Sequence, residues 1–213
     1  MRFANPMLVL IALCFSGAAF AQVPYVSIED RFRTNFPAEP TLENIKYDIE
    51  FHSTGEMLHL DAHKYTAEWN GGTYSVISVN FAPYLEPHNG TIQGARDWAA
   101  TQYRKMGEVT YDGYQRTDRI PGSILYITLP DGDRLYVIII LHQERVLENS
   151  NNLTIDHPAQ RRLLITEARV SPDERPPSLF LTSLQVIDAE GFPIRYEPNE
   201  ITRLPVNRGG GGD

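Results

Sequence analysis

From Leu135 to Leu141 the chain reads Leu-Tyr-Val-Ile-Ile-Ile-Leu, without a charged side chain at either parity of an extended backbone. A half-exposed strand alternates apolar and polar residues, so a run that is apolar at both parities specifies a strand covered on two sides. The segment therefore belongs near the middle of a sheet with a packed layer on each face. The turn Pro130-Asp131-Gly132-Asp133 precedes it and Ser123–Leu129 precedes the turn, which makes the pair a hairpin.

Other strands follow from the same periodicity. Ile45, Tyr47, Ile49 and Phe51 alternate with Lys46, Asp48 and Glu50, and Ser53-Thr54-Gly55-Glu56 then reads as a turn. Runs over Met57–Trp69 and Thr73–Phe81 flank Asn70-Gly71-Gly72, a strong hairpin signal. Strand chemistry returns over Glu108–Tyr114 and Arg161–Val170, while the polar stretch Leu147–Gln160, with Asn149-Ser150-Asn151-Asn152, reads as a long loop.

After Pro83–Pro87 the period changes. Ile92, Ala95, Ala99, Tyr103 and Met106 fall on one side of a helix, Asn89 or Thr91 can cap its start, Gly107 its end, and Trp98 sits at the stripe's margin. A second helix is expected from Pro176-Pro177 through Phe180, Leu184 and Ile187 to Asp188-Ala189-Glu190-Gly191, with a strand over Leu179–Val186 as its rival. The fold class is α+β, a largely antiparallel sheet of six or seven strands flanked by two helices. No glycine-rich turn joins a strand to a helix in a βαβ unit, which argues against a nucleotide cradle.

The first 21 residues differ in composition from the rest. Arg2, an apolar run from Met7 to Phe15 and the small residues of Ala19-Phe20-Ala21 form the pattern of a cleavable secretory signal ending before Gln22. The run is half of the roughly twenty residues a membrane-crossing helix needs, so a retained anchor is the weaker alternative. The expected organisation is a signal over 1–21, one domain over 22–205 and a glycine-rich tail over 206–213, with a periplasmic or secreted location. The only cysteine, Cys14, leaves with the signal, so the mature chain has no disulfide or thiol chemistry. Its core must suffice, and a single domain of this size can bury about 70% of its unfolded surface.

With 19 Lys and Arg against 27 Asp and Glu, the net charge is −8, and loss of Arg2 makes it one unit more acidic. The basic residues are scattered, so neither nucleic acid nor an anionic membrane is an expected partner.

Constellations with chemistry are few. His59, Asp61 and His63 share one face of the second strand, where neighbours two apart stand about 6–7 Å from each other. The outer two would be roughly 13 Å apart, too far to share an ion without a bulge or a cross-strand ligand, so the set reads as the solvated side of a strand. A metal site on these three residues is the alternative, favoured if Met57–Tyr65 were helical. His142, beside Glu144 at the end of the apolar strand, reads as a boundary histidine; a small hydrolase using it with Ser123 or an acidic neighbour is the remaining alternative. Pro121-Gly122-Ser123 lacks the glycine of a nucleophile elbow, and Asp131 with Asp133, or Asp173 with Glu174, read as turn carboxylates. Asn89-Gly90-Thr91 and Asn152-Leu153-Thr154 match the short glycan-acceptor pattern and read as loop asparagines. Tyr25, Trp69, Tyr84, Trp98 and Tyr114 could line a groove, though sheet packing explains each more simply.

The run Phe32–Pro40 (FRTNFPAEP), the helix around Trp98, Asp131-Gly132 before Arg134-Leu135-Tyr136, and Phe180-Leu181-Thr182-Ser183-Leu184 with Asp188-Ala189-Glu190-Gly191 resemble the PsbP-like α/β/α sandwich family over residues 28–196. The resemblance implies an accessory or binding role and supplies no active-site residue. The reading as a whole is an exported, non-enzymatic binding or accessory protein, monomeric or weakly associating. It has no cofactor, and its protein or small-ligand partner meets loops such as Leu147–Gln160.

Overall fold

The computed structural model of the protein describes residues 22–51, 55–81, 91–147 and 154–194. The leader through Ala21, the turn residues Ser53 and Thr54, Pro83–Pro87 with Tyr84 and Asn89, Asn149–Asn152 and the chain from Tyr196 onward lie outside the described residues, as do the side chains of Thr91, Ile92 and Glu144.

Seven antiparallel strands make the principal sheet: β3 (Thr41–Phe51), β4 (Glu56–Trp69), β5 (Gly72–Asn80), β6 (Glu108–Thr117), β7 (Ile120–Thr128), β8 (Arg134–Leu147) and β9 (Thr154–Val170). Their spatial order is β3-β4-β5-β9-β8-β7-β6. The doubly apolar segment is in β8, between β9 and β7, and every residue from Leu135 to Ile140 is buried. The β4–β5 turn has positive φ at both Asn70 and Gly71, the arrangement that matches the strands' right-handed twist.

A helix, α1 (Thr91–Arg104), packs on one face of the sheet. Ala95, Ala99, Ala100 and Tyr103 share a buried cluster with Leu60, Val79, Leu125, Val137 and Ile165 there. Met106, expected on this stripe, lies beyond the helix end and is exposed. Gly94 sits inside α1 with open space where a Cβ would be. Gly94→Ala is therefore expected to stabilise the chain by about 0.5–1 kcal/mol, seen as a higher midpoint in urea.

The opposite face is covered differently from expectation. Two short strands before the large sheet, β1 (Val23–Ser27) and β2 (Phe32–Phe36), join β10 (Gln185–Val186) in a separate three-stranded sheet of order β1-β2-β10. Phe32, Phe36 and Val186 from this sheet pack with Tyr65, Val76, Ile138 and Leu164 from the large one. The second expected helix is one turn only, α2 (Ser178–Leu181), because the chain then extends to pair Gln185 with Arg33 and Val186 with Phe32. The Ser183 hydroxyl accepts the Asn35 N–H at 2.9 Å and bonds the Thr34 hydroxyl at 2.7 Å, fixing the switch from turn to strand. The rival strand reading of this segment is thus right for its last two residues.

The expected loop Leu147–Gln160 is largely strand: β8 runs to Leu147, β9 starts at Thr154, and the two pair up to Leu147 with Thr154. The described residues are predominantly β, two sheets with two helices, which agrees with an α+β class at the coarse level.

Candidate functional site

The face of the large sheet that meets the small one is apolar along most of its length and polar at one end. There the alternation of β4 presents His63 and Tyr65, β5 presents Ser78, β8 presents His142 and β9 presents Arg162, with His63 opposite Ser78 and His142 opposite Arg162 in the ladder. The β1–β2 turn brings Asp30 down onto them. Its carboxylate is buried and accepts three hydrogen bonds, from Arg162 Nη1 (2.7 Å), His63 Nδ1 (2.7 Å) and the Tyr65 hydroxyl (2.5 Å). The Asp30 N–H is bound by Ser27 Oγ at 3.2 Å, and that hydroxyl reaches the Tyr65 oxygen at 2.9 Å. Since Tyr65 donates its proton to the carboxylate, Ser27 is the donor to Tyr65, and the hydrogen bonds close a ring. Arg162 also donates to the Glu29 carbonyl at 2.6 Å.

The electrostatics follow from this burial. Removal from water raises the Tyr65 phenol above its ordinary value, and its hydrogen bond to Asp30 raises it further, so Tyr65 stays a neutral donor. Burial lowers the Arg162 pKa, opposed by the charge of Asp30. His142 is pushed down to about 4, first by burial and then by the Arg162 and Arg31 guanidiniums, so near neutral pH it is uncharged. Arg31 itself holds a φ of 58°, a left-handed conformation that a non-glycine residue adopts at a cost, and its carbonyl accepts the Ile187 N–H at 3.0 Å. The cluster thus ties the β1–β2 turn to β4 and β9 of the large sheet. Each lone pair of Asp30 that matters is spent on a neighbour, which suits a structural lock between layers better than acid–base chemistry.

The expected site residues are dispersed. His59 Nδ1 pairs with Asp48 Oδ1 at 2.6 Å, Asp61 pairs with Lys46, and His63 pairs with Asp30; the first two pairs are exposed. Among the described residues no group of three histidine, cysteine or acidic side chains could hold a metal ion. A strand spacing of two residues keeps the three apart, and each has its own partner across the sheet or from the β1–β2 turn. Ser123 pairs with Ile139, which points into the α1 side of the core, whereas His142 lies on the other face with Arg162. The sheet separates them, so they form no nucleophile–base pair. Asp131, exposed, and Asp133, half-buried, are turn residues, and both bind Arg169, with Arg169 Nε to Asp133 at 2.7 Å.

Two cavities lie elsewhere on the small-sheet side. One, of about 440 Å³, runs over the outer face of the small sheet beside Pro24, Asn35 and the Arg33–Gln185 hydrogen bond. The larger, about 510 Å³, lies between the β4–β5 turn and the segment leading into α2, with Trp69, Tyr74 and Phe180 as aromatic walls. Tyr74 and Phe180 meet edge to face with ring centres 5.4 Å apart. The Trp69 indole N–H is buried with no hydrogen-bond partner among the described residues.

No family model and no curated protein matches the chain.

The larger cavity is the part of the molecule best shaped to receive a small ligand: concave, mostly apolar, with a few polar groups at its rim. Asp173 and Glu174, read from the sequence as turn carboxylates, are on that rim, as is Leu179, exposed at 66%. Of the other aromatic groove candidates, Trp98 donates to the Asp48 carbonyl at 3.2 Å, Tyr114 is exposed beside Arg116, and Tyr25 packs against Phe32, Phe36 and Tyr65. Sequence reasoning gave Trp69 no special weight. It is one of the five aromatic groove candidates, and the one that lines this cavity. Among the described residues no helix is long and apolar enough to cross a membrane.

Proposed function

We propose that the chain is an exported, non-enzymatic binding protein whose ligand occupies the cavity walled by Trp69, Tyr74 and Phe180. The observation that carries this reading is the cavity itself: it has aromatic walls and an open rim, while Asp30, His63, Tyr65 and Arg162 are engaged with one another. Export rests on the N-terminal pattern ending at Ala21, and the finer fold assignment, a PsbP-like sandwich with an accessory role, belongs to the same proposal. The helix α1 on one face of the large antiparallel sheet is the part of the fold that supports that assignment, as analogy.

A fluorescence titration tests the reading. The chain beginning at Gln22 is expected to bind one equivalent of N-phenyl-1-naphthylamine, a neutral probe that brightens in apolar surroundings. Leu179→Arg, which places a charge at the cavity's exposed wall, should weaken binding at least about tenfold with the melting temperature unchanged. Turnover of ester, peptide or glycoside substrates by the pure chain, lost on His142→Ala, would contradict the reading.

A further inference from the structure

The chain enters the fold at the wall of the larger cavity. The small-sheet ladder begins with Val23 opposite Phe36, which brings Gln22 alongside Pro37, and both residues belong to the cavity lining with Trp69, Leu179 and Phe180. Gln22 is half-buried there. It is also the residue that follows the expected cleavage point after Ala21. Consecutive Cα atoms of a trans chain stand about 3.8 Å apart, so a leader that is still attached starts from the cavity wall itself. Phe20, two positions before Gln22, is tethered within roughly 7 Å of it. In the stretch Gly17-Ala18-Ala19-Phe20-Ala21 it is the one bulky apolar side chain.

Resting on the binding reading and the export signal above, we propose that the cavity's occupant before processing is the leader's own Phe20, so that the chain gains its binding site only when the bond between Ala21 and Gln22 is cut. The cavity, about 510 Å³, is ample for the ring, since an apolar space of roughly 150 Å³ holds a benzene molecule. Withdrawing a phenylalanine side chain from water into apolar walls supplies the attraction. The short tether presents that side chain at an effective concentration in the millimolar range, which a free ligand must outcompete. Cleavage removes the competitor and leaves an α-ammonium on Gln22. That charge stays hydrated at the rim, where Asp173 and Glu174 also lie, and does not enter the apolar walls.

Three chains test this, each containing every described strand and helix: one from Gln22, one from Gly17, and the Gly17 chain carrying Phe20→Ala. N-phenyl-1-naphthylamine should bind the Gln22 chain, and should bind the Gly17 chain at least about tenfold more weakly. Phe20→Ala should bring the affinity back to within about threefold of the Gln22 chain. The Gly17 chain should also melt about 2 °C or more above its Phe20→Ala variant, a shift that a filled cavity produces and a merely obstructed mouth does not. Equal affinities for the Gln22 and Gly17 chains, binding that stays weak after Phe20→Ala, or equal melting temperatures for the two Gly17 chains would each overturn the inference, while probe binding by the Gln22 chain keeps the binding reading standing. If the Gln22 chain does not bind the probe, both fall.

Discussion

Replacing Asp30 by alanine is expected to destabilise the chain by about 3–5 kcal/mol, the cost of removing one partner from a buried ion pair. The carboxylate side chain is 1% exposed and the Arg162 side chain 12% exposed, so water cannot take the place of either group. Without Asp30, Arg162 keeps only the Glu29 carbonyl and a long contact to Ser78, while His63 and Tyr65 lose their acceptor. For a chain of this size that is a fall in melting temperature on the order of 10 °C. Asp48→Ala, which breaks the exposed pair with His59, is the control and should cost about 1 kcal/mol or less. Pairing Asp30→Leu with Arg162→Met should restore part of the loss, because the penalty lies in an orphaned charge more than in the missing attraction. A loss below about 1 kcal/mol for Asp30→Ala would mean that the ring does not hold the two sheets together.

Acidification is expected to weaken the fold through His142. In the folded chain its pKa is about 4, against 6.5 ordinarily. Between those values the unfolded chain takes up a proton that the folded chain refuses, so unfolding consumes protons and stability falls as pH falls. The contribution is complete above about pH 6.5 and gone once the pH is below about 4; at 1.36 kcal/mol per unit it amounts to roughly 3 kcal/mol. His142→Gln should remove this part of the slope, which chemical denaturation at pH 7, 5.5 and 4 can read as a difference between the two proteins. Parallel losses in both would show that His142 is protonated in the folded state.

The large sheet was legible because its strands carry their own pattern. β3 alternates Ile45, Tyr47 and Ile49 with charges, β8 is apolar at both parities, and the turns at Asn70-Gly71 and Asp131-Gly132 announce themselves chemically. The small sheet was not. β2 alternates Phe32, Thr34 and Phe36 over only five residues, and β10 is two residues long inside a stripe whose spacing also fits a helix. What decides there is pairing between Arg33 and Gln185, 152 positions apart, which no local window contains. The polar ring is hidden for the same reason: Asp30 and Arg162 are 132 positions apart, and nothing adjacent to either marks it as buried. Local composition did place His59 and Asp61 on a solvated face, while His63, one repeat further along the same strand, falls under the β1–β2 turn and becomes part of the ring. Trp69 and Phe180 likewise meet at a cavity only through the fold.

The division of labour between a structural ring and a binding cavity is tested most directly by the affinity of Asp30→Asn for N-phenyl-1-naphthylamine at a temperature where that variant is still folded. The account predicts a dissociation constant within about twofold of the unaltered chain despite the lower melting temperature. A loss of about tenfold or more in the folded variant would place Asp30 in the binding site and contradict the account.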